Sequence, residues 1–362
     1  MGRRSTGMPR VLHIVQSGDR GGVQRHVHDL ALGLRGQTCG IVTGTQGWLS
    51  ETAQEAHIPV WRAEHLLRSR DPRAVAAARR ETAYACKELS PDVLHAHGIF
   101  ALLSALPLAD SLPLVYTAHG FQWHDDTHPW WLRQISLRLH QRAARKVAAF
   151  VDVSAEDNEA RRLGFIRVER IPNGVAPREA GSASVHTNSF GVATRLVPGK
   201  GLMELLQVLD AEPQLRLSIA GEGPMRETLD AEAKRLGIQE RVDFLGWQDD
   251  LRDFYGGVFA YVSLSHKEGL PYGVLDAISA GLPVVLSDIP GHRELVVEGR
   301  NGSLVPHDDL VAVGSALRRL FLDQSFRSAA GKASSELAQR FALSTMLERH
   351  GVLYEEVGGY AR

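Results

Sequence analysis

Two carboxylates, Glu268 and Asp276, stand eight positions apart in the stretch Ser265-His266-Lys267-Glu268-Gly269-Leu270-Pro271-Tyr272-Gly273-Val274-Leu275-Asp276. An apolar run from Phe259 to Leu264 precedes them, and a helical pattern begins near Gly273. Glycines at 269 and 273 let backbone N–H groups come close to a ligand, and the start of a helix turns unpaired amides and a positive dipole end toward an anion. A phosphate is expected there, flanked by Glu268 and Asp276, whose carboxylates accept from hydroxyls on either side. Such a site suits a phosphorylated, hydroxyl-rich ligand, with one carboxylate on a sugar and the other on a ribose. The competing reading is a pair of solvated charges beside a strand-to-helix turn.

Other candidates lie at the ends of other apolar runs. Arg195 and Lys200 belong to Thr194-Arg195-Leu196-Val197-Pro198-Gly199-Lys200-Gly201, where proline and glycines make a tight loop rather than a random charged face. His119 closes an apolar strand in Thr117-Ala118-His119-Gly120. A neutral imidazole there could hydrogen-bond a hydroxyl or position a leaving group, or be a loop histidine satisfied by backbone. His95 and His97 form His-x-His near another strand end, with His124 and His128 further on. Two histidines on one strand face lack the carboxylate or cysteine partners of a metal site, and the chain has no Asp-x-Asp, so no metal is expected. Ser17-Gly18-Asp19-Arg20-Gly21-Gly22 links a strand to a helix, but without G-x-G-x-x-G spacing. The next apolar strand ends in Thr43 rather than an acid, so a nicotinamide dinucleotide is not indicated. Trp247, after Leu245-Gly246, could stack on a planar ring or end a strand in the core.

These residues need elements to place them. Short apolar runs alternate with helical patterns from Val11 to about Ile171, and the alternation restarts at Phe190. That grammar predicts an α/β protein with two doubly wound parallel sheets. The stretch 176–189, small, polar and without periodicity, reads as the linker. The divisions expected are 1–175, 190–341 and a terminal helix in 342–362. With 362 residues, 44% hydrophobic and 23% charged, each half can bury a core. A net charge of −1 supplies no basic field for nucleic acid, and two cysteines, Cys39 and Cys86, without paired spacing fit a reducing cytoplasm. The longest apolar run, Ile99 to Ala109, is too short to span a membrane, and the basic start at Met1 does not lead into a secretory signal.

Taken in order, Gly21-Gly22, the loop carrying Arg195 and Lys200, Ala220-Gly221-Glu222-Gly223-Pro224, and Glu268 with Asp276 resemble the retaining family 4 glycosyltransferases of the GT-B fold, from about Val11 to Tyr354. The resemblance implies two Rossmann-like domains facing across a cleft, with the C-terminal helix crossing back to the first. It implies that Arg195 and Lys200 hold a donor diphosphate, where two preorganised cations stabilise a leaving group without a metal. Glu268 and His119 would touch the donor sugar, Asp276 the ribose, Trp247 the base, and the backbone of Gly273, Val274 and Leu275 the phosphate. Gly21 and Gly22 would admit phosphate and sugar, and Gly221, Glu222 and Gly223 would line the same donor site. From Pro172-Asn173-Gly174-Val175 only Asn173 and Gly174 carry over, because Ala176 replaces the family's Asp. Asp276 also departs from the family, whose second acid is Glu.

The expected activity is metal-independent front-face transfer of a sugar from a UDP- or GDP-sugar to a hydroxyl of a glycan or lipid-linked acceptor. No cofactor is expected. Alternatives are a hydrolysing nucleotide-sugar 2-epimerase and a catalytically impaired nucleotide-sugar-binding protein. The segment 130–146 holds five Arg or Lys and no acid, with Trp131, Leu132, Ile135, Leu139 and Ala143 in one helical stripe. It could rest on an anionic membrane, or pack that stripe inward and leave a solvated basic face. The expected location is cytoplasmic, peripheral on the inner face of the membrane.

Overall fold

A computed structural model of the chain describes residues 7–66, 71–120, 129–154, 159–178 and 188–359. Two compact units result: the residues up to Asn173 together with the chain from Leu343 on, and Gly174–Ala342. The expected linker 176–189 overlaps 179–187, which lie outside the described residues, as do His124 and the interior of 121–128.

The first unit holds β1 Val11–Val15, β2 Thr38–Thr43, β3 Val60–Arg62, β4 Val93–His97, β5 Leu114–Thr117, β6 Ala149–Asp152 and β7 Val168–Arg170. Their order is β3-β2-β1-β4-β5-β6-β7, all parallel. The second holds β8 Ser189–Ala193, β9 Arg216–Ala220, β10 Val242–Gly246, β11 Ala260–Ser263, β12 Val284–Ser287 and β13 Gly302–Val305, in the parallel order β10-β9-β8-β11-β12-β13. Every residue of β1, β4, β5, β11 and β12 is buried, as parallel strands covered on both faces by helices must be. The sequence pattern does not mark β3 and β13, because Val60-Trp61-Arg62 ends in an exposed arginine and Gly302-Ser303-Leu304-Val305 opens on glycine and serine.

Helices start where the chain supplies a cap. Asp71 accepts from the Arg73 amide ahead of Pro72 to begin Pro72–Leu89, and Asp309 accepts from the Ala312 amide to begin Leu310–Leu322. The terminal helix Leu343–Val357 belongs to the first unit, where Met346, Leu353 and Tyr354 pack on Val11, Val93, Val115 and Val151.

That face of the first sheet also buries histidines. β1 and β4 run in register with His13 opposite His95 and Val15 opposite His97. The period of two therefore puts His13, His95 and His97 on the face opposite Leu12, Ile14, Leu94 and Ala96. His26 from the helix Gly22–Gly33 and His350 from the terminal helix cover them, and all five are at most 2% exposed.

Burial excludes charge from these rings. It lowers His13 to about 3, with help from His350, and His350 to about 4, and holds His26, His95 and His97 well below 6.5, neighbouring imidazoles adding repulsion. The unfolded chain binds more protons than the folded one between those values and 6.5. Their contribution is therefore complete above pH 6.5 and is lost as pH falls, on the order of 1.4 kcal/mol per pH unit for each ring forced to titrate. Urea midpoints should be level from pH 8 to 7 and fall steeply between 6.5 and 4. A level midpoint down to pH 4.5 would contradict a neutral buried cluster.

Candidate functional site

In parallel sheets the carboxyl ends of all strands share one edge, and the loops leaving that edge carry the candidate residues. In the second unit the loop after β8 is zipped to the loop after β9. The Thr194 amide donates to the Ala220 carbonyl at 2.9 Å, Leu196 to Glu222 at 2.8 Å, and Met225 back to Leu196 at 3.0 Å. Gly221 then donates to Gly246 at 2.7 Å, which ties in the loop after β10. Gly221 has φ +136°, and a Cβ there would stand 1.9 Å from the Thr194 carbonyl oxygen, so only glycine allows this approach.

Lys200 and Glu268 meet. The His266 amide donates to the Gly199 carbonyl at 3.0 Å, bringing the two loops together, and the Lys200 Nζ lies 2.5 Å from Glu268 Oε1. Both side chains are mostly buried, at 18% and 19% exposed. Arg195 stays exposed on the same loop. Lys200 and Glu268 are thus held at the edge where the helix Tyr272–Ser279 begins.

That helix is drawn in by Gly273, where a Cβ would meet the Tyr261 hydroxyl at 2.5 Å and the Ala193 carbonyl at 2.8 Å. Leu275 already gives its amide to the Pro271 carbonyl at 3.1 Å. The amides of Gly273 and Val274 precede that first intrahelical bond, so the amides left over at the helix start lie earlier than the expected Gly273–Leu275 set.

Asp276 is 1% exposed, and Arg178 Nε–H donates to its Oδ1 at 2.8 Å. The backbone of Arg178 is pinned too, donating to Ser279 Oγ at 3.1 Å, while that hydroxyl donates to the Ala176 carbonyl at 3.2 Å. Sequence reasoning missed Arg178: nothing about an arginine in a loop announces a partner 98 positions away. Trp247 proves to be surface rather than core. It is 43% exposed, with its indole N–H given to Asp249 at 3.1 Å and its amide to the exposed Glu222 carboxylate at 3.4 Å.

In the first unit Gly21 is the extended N-cap of the helix Gly22–Gly33, its carbonyl accepting from the Arg25 amide at 2.9 Å. His119 follows β5 with φ +58°, a left-handed backbone that residues with a Cβ seldom adopt. Its Nε2 is 3.2 Å from His97 Nδ1, and His97 Nε2 is 3.3 Å from His13 Nδ1. Asn173 is buried, and its Oδ1 accepts from His26 Nδ1 at 2.9 Å, so it visibly holds a histidine. Gly174 is buried backbone at the start of the second unit. The isolated His-x-His of the sequence is thus part of a larger assembly. Among the described residues two groups place three ligand nitrogens within 4.8 Å, His13/His95/His97 and His26/His97/His119, and neither includes a carboxylate or thiolate. Recognising the assembly needs strand register, which spacing alone does not supply.

Removing Arg178 leaves the buried Asp276 carboxylate short of its cation. Arg178→Ala should lower the stability of the second unit by on the order of 2 kcal/mol, between the worth of exposed and fully buried pairs. The denaturant midpoint measures it, and an unchanged midpoint would mean that other contacts hold Asp276.

Comparison with known proteins follows the same division. A model of Glycosyltransferase Family 4 matches residues 20–179, and one of Glycosyl transferases group 1 matches residues 179–337. The chain is 30% identical to the GDP-mannose:cellobiosyl-diphosphopolyprenol alpha-mannosyltransferase of Xanthomonas oryzae, over 64% of this chain and 65% of that protein. It is 33% identical to the lipopolysaccharide core biosynthesis glycosyltransferase LpsE of Rhizobium meliloti over 37% of this chain, spanning only 39% of LpsE. The fold is that of Anabaena Alr3699/HepE, solved in complex with UDP and glucose, with a TM-score of 0.82, 21% identity, and coverage of 96% of this chain and 100% of that one. Matched in succession across both units, the chain belongs to the group 1 and family 4 glycosyltransferases, on the GT-B fold.

Proposed function

We infer that the chain transfers a sugar from a nucleotide-sugar donor to a hydroxyl of a glycan or lipid-linked acceptor. The observation that carries this reading is the pairing of Lys200 with Glu268 at the start of the helix Tyr272–Ser279. It combines a cation for a leaving diphosphate and a carboxylate for a sugar hydroxyl on the loops that lead to a helix start, whose first amides suit a phosphate. Before the donor binds, each charge of the pair satisfies the other. A diphosphate would compete for Lys200 and leave Glu268 to take a hydroxyl. Arg195, exposed beside it, adds the second cation of the clamp.

The remaining roles follow from chemistry. Asp276, fixed by Arg178, serves the ribose, and the part-exposed Trp247 stacks on the base. His119 offers its imidazole to the donor sugar. Transfer proceeds on the front face with retention: the bond to the leaving phosphate loosens, its charge falls on Lys200 and Arg195, and a phosphate oxygen takes the proton of the incoming hydroxyl. The donor class, a UDP- or GDP-sugar, has indirect support. A relative of 30% identity uses GDP-mannose, and a protein of the same fold was solved with UDP.

The acceptor side points to a membrane. Along the helix Trp130–Ala143 the buried positions are Ser136, His140 and Ala143, so the inward face takes in Ala143 of the expected stripe but leaves Trp131 and Ile135 outside it. Trp131 and Ile135 are each 47% exposed and Trp130 75%, continuing into exposed Arg138, Arg142 and Arg145. An outward face that is aromatic at one end and basic along the rest suits the anionic inner face of a membrane, where a lipid-linked acceptor would be presented.

Lys200→Ala should lower turnover about 10²-fold or more with donor and a hydroxyl acceptor, while thermal shifts by UDP or GDP shrink. Near-normal turnover would remove the clamp. Release of free epimerised sugar, or a nucleotide shift with no turnover, would favour the epimerase or binding-protein reading instead. In flotation with anionic vesicles at low salt the chain should rise with the lipid, and Trp131→Ser/Ile135→Ser should stay at the bottom. A wild-type chain that fails to float would end the membrane reading.

A further inference from the structure

We propose that His13 and His97 form a two-step tautomer relay that fixes which nitrogen of His119 carries its proton, making His119 a hydrogen-bond donor through Nδ1. The catalytic part of this inference rests on the reading of His119 as a contact to the donor sugar; the relay itself does not.

The geometry is a chain of three neutral rings. His13 Nδ1 lies 3.3 Å from His97 Nε2, and His97 Nδ1 lies 3.2 Å from His119 Nε2. Both spacings are those of N–H···N hydrogen bonds near the long end. A neutral imidazole has one N–H and one lone pair, so fixing one ring's proton fixes the next. Only two polarities exist. In one, every proton sits on Nδ1 and each bond donates toward His119. In the other, every proton sits on Nε2 and each bond donates toward His13.

The inner end of the chain decides between them. His13 is fully buried, and its Nε2 has no hydrogen-bond partner among the described residues. The second polarity would leave an N–H there with nothing to receive it, and the first leaves only a lone pair. Orphaned buried N–H groups are the rarer and costlier defect. The proton therefore stays on His13 Nδ1, which donates to His97 Nε2; His97 then donates from Nδ1 to His119 Nε2. His119 is left with its proton on Nδ1, on the opposite side of its ring.

The neighbouring rings are tied elsewhere. His95 is held by the Tyr354 hydroxyl at 2.7 Å and the Thr117 hydroxyl at 2.9 Å, and His26 gives its Nδ1–H to Asn173. His119 is the one member of the chain that is not fully buried, and it alone has a left-handed backbone. The relay thus runs from a sealed interior to a ring with accessible surface. A divalent metal would use these same nitrogens. It would bring two positive charges into a buried group that contains no carboxylate among the described residues, whereas the relay keeps every ring neutral. His13 and His97 are positioning residues; neither would touch the sugar.

The test is the nitrogen resonances of the full chain labelled with 15N-histidine, at pH 7.5 and without ligand, assigned with single histidine variants. The relay requires His119 Nδ1 to be of the protonated type and Nε2 of the lone-pair type. In His97→Leu that preference should collapse to a mixture. His97→Asn, whose side-chain amide can still donate to His119 Nε2, should restore it. kcat/KM for the donor should fall about tenfold in His97→Leu, the size of one lost hydrogen bond, and largely recover in His97→Asn. A wild-type His119 protonated on Nε2, or a mixture of tautomers, overturns the relay even if neither variant folds. Uptake of one equivalent of Zn²⁺ by the wild type, abolished in His97→Asn, overturns it in favour of a metal site. A relay seen by NMR with His119→Ala fully active would instead retire the sugar contact and leave the relay standing.

Discussion

The carbonyl of Thr194 occupies the space where any side chain on residue 221 would begin, and the second unit's site depends on that contact. Backbone against backbone, it brings the loops after β8, β9 and β10 onto a common edge. No side-chain packing could do this, because a Cβ at position 221 would separate the first two loops. The loop after β8 is tied separately to the loop after β11 by the His266 amide on the Gly199 carbonyl, which brings Lys200 to Glu268, while the Glu222 and Asp249 carboxylates hold Trp247. The result is a rigid cradle built from glycine and main-chain amides, on which a few charged groups are mounted. That order of construction fixes the backbone first and leaves Lys200 and Glu268 paired with each other on top of it.

The first unit solves a different problem. It buries five imidazoles on a face that an ordinary α/β protein would fill with valine and leucine. Each ring brings two polar nitrogens, and the face stays tolerable because most are paired within it: with other histidines, with Tyr354, with Thr117 and with Asn173. The lone nitrogens at His13, His26 and His350 are the residual cost. A hydrophobic face would have avoided that cost, so the cluster is hard to explain as packing alone. It reads more naturally as a polar interior kept to orient the one ring at its edge.

Much of the fold was legible because parallel strands covered on both faces leave continuous apolar runs, as at Val11–Val15 and Val93–Ala96, and helices between them leave periodic ones. β3 and β13 were not, since neither Val60-Trp61-Arg62 nor Gly302-Ser303-Leu304-Val305 is a continuous apolar run. Glu268, Lys200 and Gly273 could be picked out because glycines and a strand-to-helix turn surrounded them. Arg178, His13 and His26 could not. Their partners lie 98, 84 and 147 positions away, and only strand register and chain return bring them together.

The helix Trp130–Ala143 shows how a pattern can be legible in kind and open in direction. An apolar stripe of Trp131, Leu132, Ile135, Leu139 and Ala143 can face inward or outward; the helix buries Ser136, His140 and Ala143 and turns Trp131 and Ile135 out. His140 explains the rotation. Its Nδ1–H is satisfied by the Ser136 carbonyl at 2.8 Å, one turn back, and its Nε2 is paired with the buried Tyr116 hydroxyl at 2.9 Å. With that bond made inside the core, the ring belongs inward and the residues opposite it are forced out. A polar group that can be fully satisfied outranks an apolar one in setting helix orientation, because an unmet donor or acceptor beside Tyr116 would cost more than the exposure of part of an aromatic ring. The exposed tryptophans are then the consequence of a buried hydrogen bond, and they become a surface available for contact with lipid.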